Sequence, residues 1–199
     1  MTNDDWKLCT HLTQQRENLI GSGLSRLWSC SLFWNQDQKK LHEFDYCLFA
    51  PTRGLLKRIE QTDDWFTSSI DKGTFLIELG RYENKSDFEN KKLSSGKLGV
   101  TKADYYLIVL NKLQKVCLLN VENLKAIICR KEEKGELEIF EPNCYDKWYQ
   151  KHNSLPTRNA LLNIQETLYQ DEDSEVIEFN ELKIEKNYYE KLRFTINNH

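Results

Sequence analysis

Three acids in the first half of the chain, Asp45, Glu60 and Glu78, are spaced for metal chemistry. Each sits in or at the head of a short apolar run: Phe44–Phe49, Leu55–Gln61 and Thr74–Tyr82. Carboxylates that converge on Mg²⁺ let the ion acidify a bound water and neutralise charge on a phosphate. Hairpin strands support such a site well, because side chains on neighbouring strands meet along one face. Ala50-Pro51-Thr52-Arg53-Gly54 has the chemistry of a turn. Antiparallel pairing about that turn brings positions 45 and 60 close together. Lys57, Arg58, Arg81 and Lys102 are the cations available to a developing negative charge.

Plainer roles exist for each of these residues. Asp45 can simply start a strand, and Glu60 can bridge to Lys57 or Arg58. By alternation Glu78 points away from Ile77 and Leu79, toward either solvent or the site. Lys102 next to Asp104 has the form of an ordinary surface pair, and Asp63-Asp64 that of a turn cap. His11 and His42 have no partner at ligand spacing.

The elements that must position these groups follow from periodicity. Residues 10–34 carry Leu12, Leu19, Ile20, Leu24, Leu27, Trp28 and Leu32 at helical spacing, with an expected break at Gly21-Ser22-Gly23. The three acid-bearing runs are expected to be consecutive antiparallel strands of one sheet. Residues 83–99 are polar, without periodicity, and read as a long exposed loop. Tyr105–Leu110 is a continuous apolar run that suits a central buried strand, with Lys115–Leu119 beside it. Val121–Cys129 reads as a helix capped by Asn120. Arg130–Glu136 reads as a solvated turn. Beyond it a helix over Leu155–Tyr169, a strand over Val176–Ile184 and a short helix over Tyr188–Ile196 are expected.

Of the 199 residues, 39% are hydrophobic and 12% aromatic, enough for one buried core rich in rings. The net charge of −3 leaves no strongly basic footprint, so any contact with nucleic acid comes from a local patch. Lys85, Lys91, Lys92, Lys97 and Lys102 form one such cluster. The six cysteines show no CxxC spacing, and Cys47, Cys117 and Cys129 stand in apolar runs, as reduced core thiols do. No apolar run approaches the ~20 residues of a membrane span, and no signal peptide is read in the first residues. A soluble, cytoplasmic protein is expected.

The spacing also resembles that of the PD-(D/E)xK nuclease superfamily, the restriction-endonuclease-like proteins, especially its compact phage and bacterial members. Asp45 in Phe-Asp-Tyr-Cys-Leu stands where the first Asp of the motif lies. Ile59-Glu60-Gln61-Thr62-Asp63 is similar to the strand ending in Glu-x-Lys-x-Asp, and Gly73–Glu78 to the strand that follows it. Thr101-Lys102-Ala103-Asp104 is similar to a segment leading into a hydrophobic strand. The resemblance covers a little under half the chain. It implies a mixed α/β fold of the α+β type, a central mixed sheet of about five strands flanked by helices. It implies a nuclease-like core over 1–150, with 151–199 an appendage packed on the same domain. It further implies a hydrolase, an endonuclease dependent on Mg²⁺ or Mn²⁺. Asp45 and Glu60 would hold the metal, Glu78 would be a third catalytic acid and Lys102 or Lys57 a displaced cation. The partner implied is nucleic acid, DNA or RNA, and a homodimer is left open. The sequence departs from the motif at Thr62, where the family has lysine. Three readings of that departure stand: a cation supplied from elsewhere, a polar substitute, or a fold that has kept binding and lost hydrolysis.

Overall fold

The computed structural model describes residues 3–35, 43–63, 73–110, 113–152 and 154–185. The chain begins with helix α1 (Asn3–Leu27), strands β1 (Ser31–Trp34) and β2 (Tyr46–Ala50), a 3₁₀ turn (Pro51–Arg53) and β3 (Leu55–Asp63). Next come β4 (Thr74–Arg81), α2 (Lys85–Glu89), β5 (Ser94–Ser95), α3 (Lys97–Val100) and β6 (Tyr105–Leu110). The remainder is β7 (Lys115–Asn120), α4 (Val121–Glu133), β8 (Glu138–Phe140), α5 (Tyr145–His152), β9 (Thr157–Asn163), α6 (Ile164–Gln170) and β10 (Glu175–Glu178). The fold is mixed α+β, as expected. It carries two sheets, the larger with six strands rather than about five.

Two compact units share the chain. The first comprises residues 1–64, 103–118 and 174–199. It holds the six-stranded sheet, in the order β1-β2-β3-β6-β7-β10. Strands β1, β2 and β3 form an antiparallel meander, and β6 lies parallel to β3. The β2–β3 turn forms as its residues dictate. Pro51 opens the 3₁₀ turn, and Gly54 closes it at φ +61°, a left-handed conformation that costs glycine little. On one face of the sheet Tyr46, Leu48, Ala50 and Ile59 are buried, and Ile20 and Leu24 of α1 are equally inaccessible. Strand β6 is buried from Tyr106 through Leu110, which is why its sequence shows no alternation.

Helix α1 runs through Gly21-Ser22-Gly23 without a break, and residues 31–34 are strand. The glycines serve close packing instead. A Cβ on Gly21 would lie 3.2 Å from Leu32 Cδ1, and one on Gly23 would lie 2.8 Å from Leu182 Cβ. Helix propensity lost at two glycines, ~1 kcal/mol each, is offset by backbone approach to neighbouring elements.

The second unit comprises residues 65–102 and 119–173. Its sheet has the order β5-β4-β9-β8, all antiparallel. Strand β4, expected as the third strand beside β3, instead pairs with β9 from Thr74↔Asn163 to Arg81↔Thr157. That pairing also converts 157–163, expected as helix, into strand, with Ala160 and Leu162 buried in alternation. Residues 83–99 are likewise more ordered than their polarity suggested. Asn84 caps α2 by accepting the Asp87 N–H, and Phe88 and Leu98 are buried. Asn120 caps α4 as expected, accepting from Glu122 and Asn123, and α4 continues through Glu133 where a turn was expected. The C-terminal stretch supplies a strand to each sheet, β9 and β10. The helix expected over residues 188–196 lies outside the described residues.

Candidate metal centre

Asp45 stands one residue before β2, and three hydrogen bonds fix it. Its N–H donates to the Ile59 carbonyl at 2.8 Å, and its own carbonyl accepts from Asn35 N–H at 3.1 Å. Its Oδ2 accepts from the Gln61 N–H at 2.7 Å. Asp45 is therefore bonded to the residues on both sides of Glu60. Glu60 itself is buried, 2% exposed. An ionisable side chain at that burial is uncommon in a sheet built of apolar residues and marks a position worth testing for function.

A network of polar groups behind this pair holds β3 in place. The Tyr46 hydroxyl donates to Gln61 Oε1 at 3.0 Å, with both residues buried. The Tyr46 ring packs on Trp34 at 5.1 Å between centroids. Gln61 thus ties the Asp45 carboxylate, through its backbone, to the core face of the sheet, through its side chain. On the other flank of β3, Asp104 plays a matching role at the head of β6. Its Oδ2 accepts from Arg58 N–H at 2.7 Å, and Asp104 N–H donates to the Arg58 carbonyl at 2.8 Å. The Arg58 guanidinium then closes on the same carboxylate, Nη2 to Oδ1 at 2.7 Å and Nε to Oδ2 at 3.2 Å. Burial works against the charge on Asp104, but its bonds to Arg58 prevail and lower its pKa below the ordinary carboxylate value.

The cations expected to replace the motif lysine have other engagements. Lys57 Nζ lies between two rings, 4.4 Å from the centroid of Trp28 and 4.4 Å from that of Tyr105. Arg58 is bound to Asp104. Glu78, the expected third acid, belongs to β4 in the second sheet, where Arg81 grips its Oε1 from Nη2 at 2.8 Å and from Nε at 3.0 Å. Lys102 is exposed between α3 and β6. Thr62, two residues beyond Glu60 on β3 and on the same face, is neutral.

Asp45 is thus bonded to Ile59 and Gln61, the two neighbours of Glu60, while Glu78 belongs to the other sheet. Among the described residues no group of three or more His, Cys, Asp or Glu side chains gathers in a way that would hold a metal. Two hard carboxylates nevertheless match the way Mg²⁺ binds, through one or two protein carboxylates with water and phosphate oxygens completing its shell. Sequence reasoning missed the Arg58–Asp104 pair, having matched Asp104 with its neighbour Lys102. The signal available was the position of Asp104, a carboxylate at the mouth of a buried strand, where a backbone N–H of the adjoining strand needs an acceptor.

Cys117 is buried, and burial pushes its thiol up to about 11. Cys129, expected in the core, is exposed on α4, and Cys47 is half-buried. No described helix is long and apolar enough to cross a membrane.

In comparisons with known proteins, no family model, curated protein or solved structure matches this chain.

Proposed function

We propose that the chain hydrolyses phosphodiester bonds of DNA or RNA with Mg²⁺ or Mn²⁺, using Asp45 and Glu60 as metal ligands. The observation that carries this reading is the bracketing of buried Glu60 by the two hydrogen bonds that Asp45 makes to Ile59 and Gln61. When bound, the ion would acidify a water and offset charge on the phosphate. The residues of the chain position and shield. Gln61 N–H fixes the direction of the Asp45 carboxylate, Tyr46 fixes Gln61, and Glu60 itself is shielded from bulk water. The free thiols at Cys30, Cys47, Cys117, Cys129 and Cys144 accord with a reducing compartment, and the cytoplasm is the location we propose.

A second reading, a nuclease-like fold that binds nucleic acid or a protein without cutting, has its own observations. Thr62 supplies no charge, and Lys57 and Arg58 are engaged with rings and with Asp104. One set of assays separates the two. Purified protein with Mg²⁺ or Mn²⁺ should nick supercoiled DNA or degrade single strands, and Asp45→Ala and Glu60→Ala should each abolish this. Thr62→Lys should raise the rate, since one preorganised group at a developing anion contributes roughly 2.7–4 kcal/mol, about 100- to 1,000-fold. Absence of cleavage, together with absence of Mg²⁺ binding by calorimetry, would refute hydrolysis and leave the binding reading, to be resolved by gel shift.

A further inference from the structure

The first sheet presents an apolar stripe on the same face as the candidate acids. Side chains alternate along β2, so Tyr46, Leu48 and Ala50 enter the core while Cys47 and Phe49 face the other way. The register extends this face to both neighbours. Phe33 lies opposite Cys47, Cys47 opposite Arg58, and Phe49 opposite Leu56. The face therefore carries Phe33, Phe49 and Leu56, with Arg58 next and then Glu60 along β3. The stripe is open: Phe33 is 52% exposed, Phe49 38% and Leu56 55%. The two phenyl rings meet edge to face, centroids 6.4 Å apart at 62°, which leaves ring faces available to a third group.

We infer that this stripe is a stacking platform for the unpaired bases of a single-stranded nucleic acid. The inference rests on the nucleic-acid reading above and narrows it to a substrate class. Three features argue for this occupant. First, the stripe is continuous with the acids. Phe49 lies on β2 and Asp45 one residue before its start, four positions apart and about 13 Å at the usual rise, so a strand lying on the rings extends toward Asp45. Second, Arg58 stands between stripe and acids, with its guanidinium oriented by Asp104 and its side chain still 40% exposed. Nε and Nη2 are taken by Asp104, so Nη1 is the nitrogen that would donate to a phosphate passing between stacked bases. Third, stacking on a ring requires a base turned out of its duplex. A paired base presents only an edge in a groove, whereas every unpaired base has a face to lay on an aromatic side chain.

The test uses the whole 199-residue chain and fluorescence anisotropy with Ca²⁺ in place of Mg²⁺, so that cleavage does not intervene. The probes are a labelled oligothymidylate and a labelled duplex of the same length. Single-strand binding should be the tighter. Phe33→Ala and Phe49→Ala should each weaken it by roughly five- to 150-fold, the range of base–aromatic stacking, with duplex binding unchanged. Phe49→Tyr, which keeps the ring, should retain the affinity and guards against a variant that merely misfolds. Wild-type affinity in both alanine variants would overturn the inference. So would loss of a concentration-dependent dimer in those variants without a change in strand binding, which would assign the stripe to a second copy of the chain. The two proposals fail separately. Cleavage with Phe-independent binding removes the platform alone, and Phe-dependent binding without cleavage removes hydrolysis alone.

Discussion

Replacing Asp104 by Asn tests how the central strand is held. Asp104 accepts three bonds from Arg58: the backbone N–H at 2.7 Å, Nη2 at 2.7 Å and Nε at 3.2 Å. Asparagine keeps the shape and one acceptor, enough for the backbone N–H. Its amide nitrogen then faces the guanidinium, and the charge on Arg58 loses its counter-ion. Hydrogen bonds to charged groups contribute about 1.5–3 kcal/mol when well buried. Here the side chains are 40% and 32% exposed, and solvent screening reduces the expected loss to about 1–2 kcal/mol. For a chain of this length that lowers the unfolding midpoint by roughly 2–8 °C, readable by far-UV circular dichroism. The pH dependence carries the sign. Because Asp104 titrates below its ordinary value of 3.8 in the folded protein, its contribution is fully present above that value. It is lost as pH falls through the depressed folded pKa. The gap between wild type and Asp104→Asn should therefore be full at neutral pH and close in strong acid. Equal midpoints at neutral pH, or a gap unchanged in acid, would refute the assignment.

Two further outcomes follow from packing and burial. Gly23→Ala places a Cβ 2.8 Å from Leu182 Cβ and should destabilise by about 1–3 kcal/mol, the usual cost of overpacking, measured by urea titration; wild-type stability would contradict the close approach. In a thiol-labelling time course with native protein, Cys129, exposed on α4, should react far ahead of buried Cys117, whose thiol is raised to about 11. Equal rates would contradict both placements.

The parts of the fold legible in the sequence are those set by local chemistry. The Pro51–Gly54 turn specifies its hairpin, Asn120 its helix start, and the unbroken apolar run of Tyr105–Leu110 its central strand. What escaped depends on partners distant in sequence. Nothing in Thr74–Arg81 says whether it adds to β3 or to β9, so Glu78 was assigned to the wrong sheet. Residues 157–163, with Ala160, Leu161 and Leu162, have helix-favouring side chains, and only the partner strand β4 makes them strand. Gly21 and Gly23 read as a break because the residues they approach, Leu32, Tyr46 and Leu182, lie outside the helix. Of the candidate site, the turn geometry made the β2–β3 register legible, with Tyr46 opposite Ile59. The Arg58–Asp104 clamp joins residues 46 apart, and its local signal, a carboxylate at the head of a buried strand, did not name the partner.

The interleaved chain path has a consequence for the order in which the protein takes shape during synthesis. The first unit draws on residues 1–64, 103–118 and 174–199, whereas the second is complete once residue 173 has emerged. Strand β10 covers the β7 edge of the first sheet, and Leu182 is the residue against which Gly23 is cut to fit. The α1 surface around Gly23 thus waits for a residue 159 positions later in the chain. Until then β7 has an open edge, and the α1 surface around Gly23 lacks its cover. On a ribosome adding about 5–20 residues per second, the β7 edge stays open for roughly 3–12 s and the Gly23 surface uncovered for roughly 8–32 s, an interval in which the exposed edge can mispair.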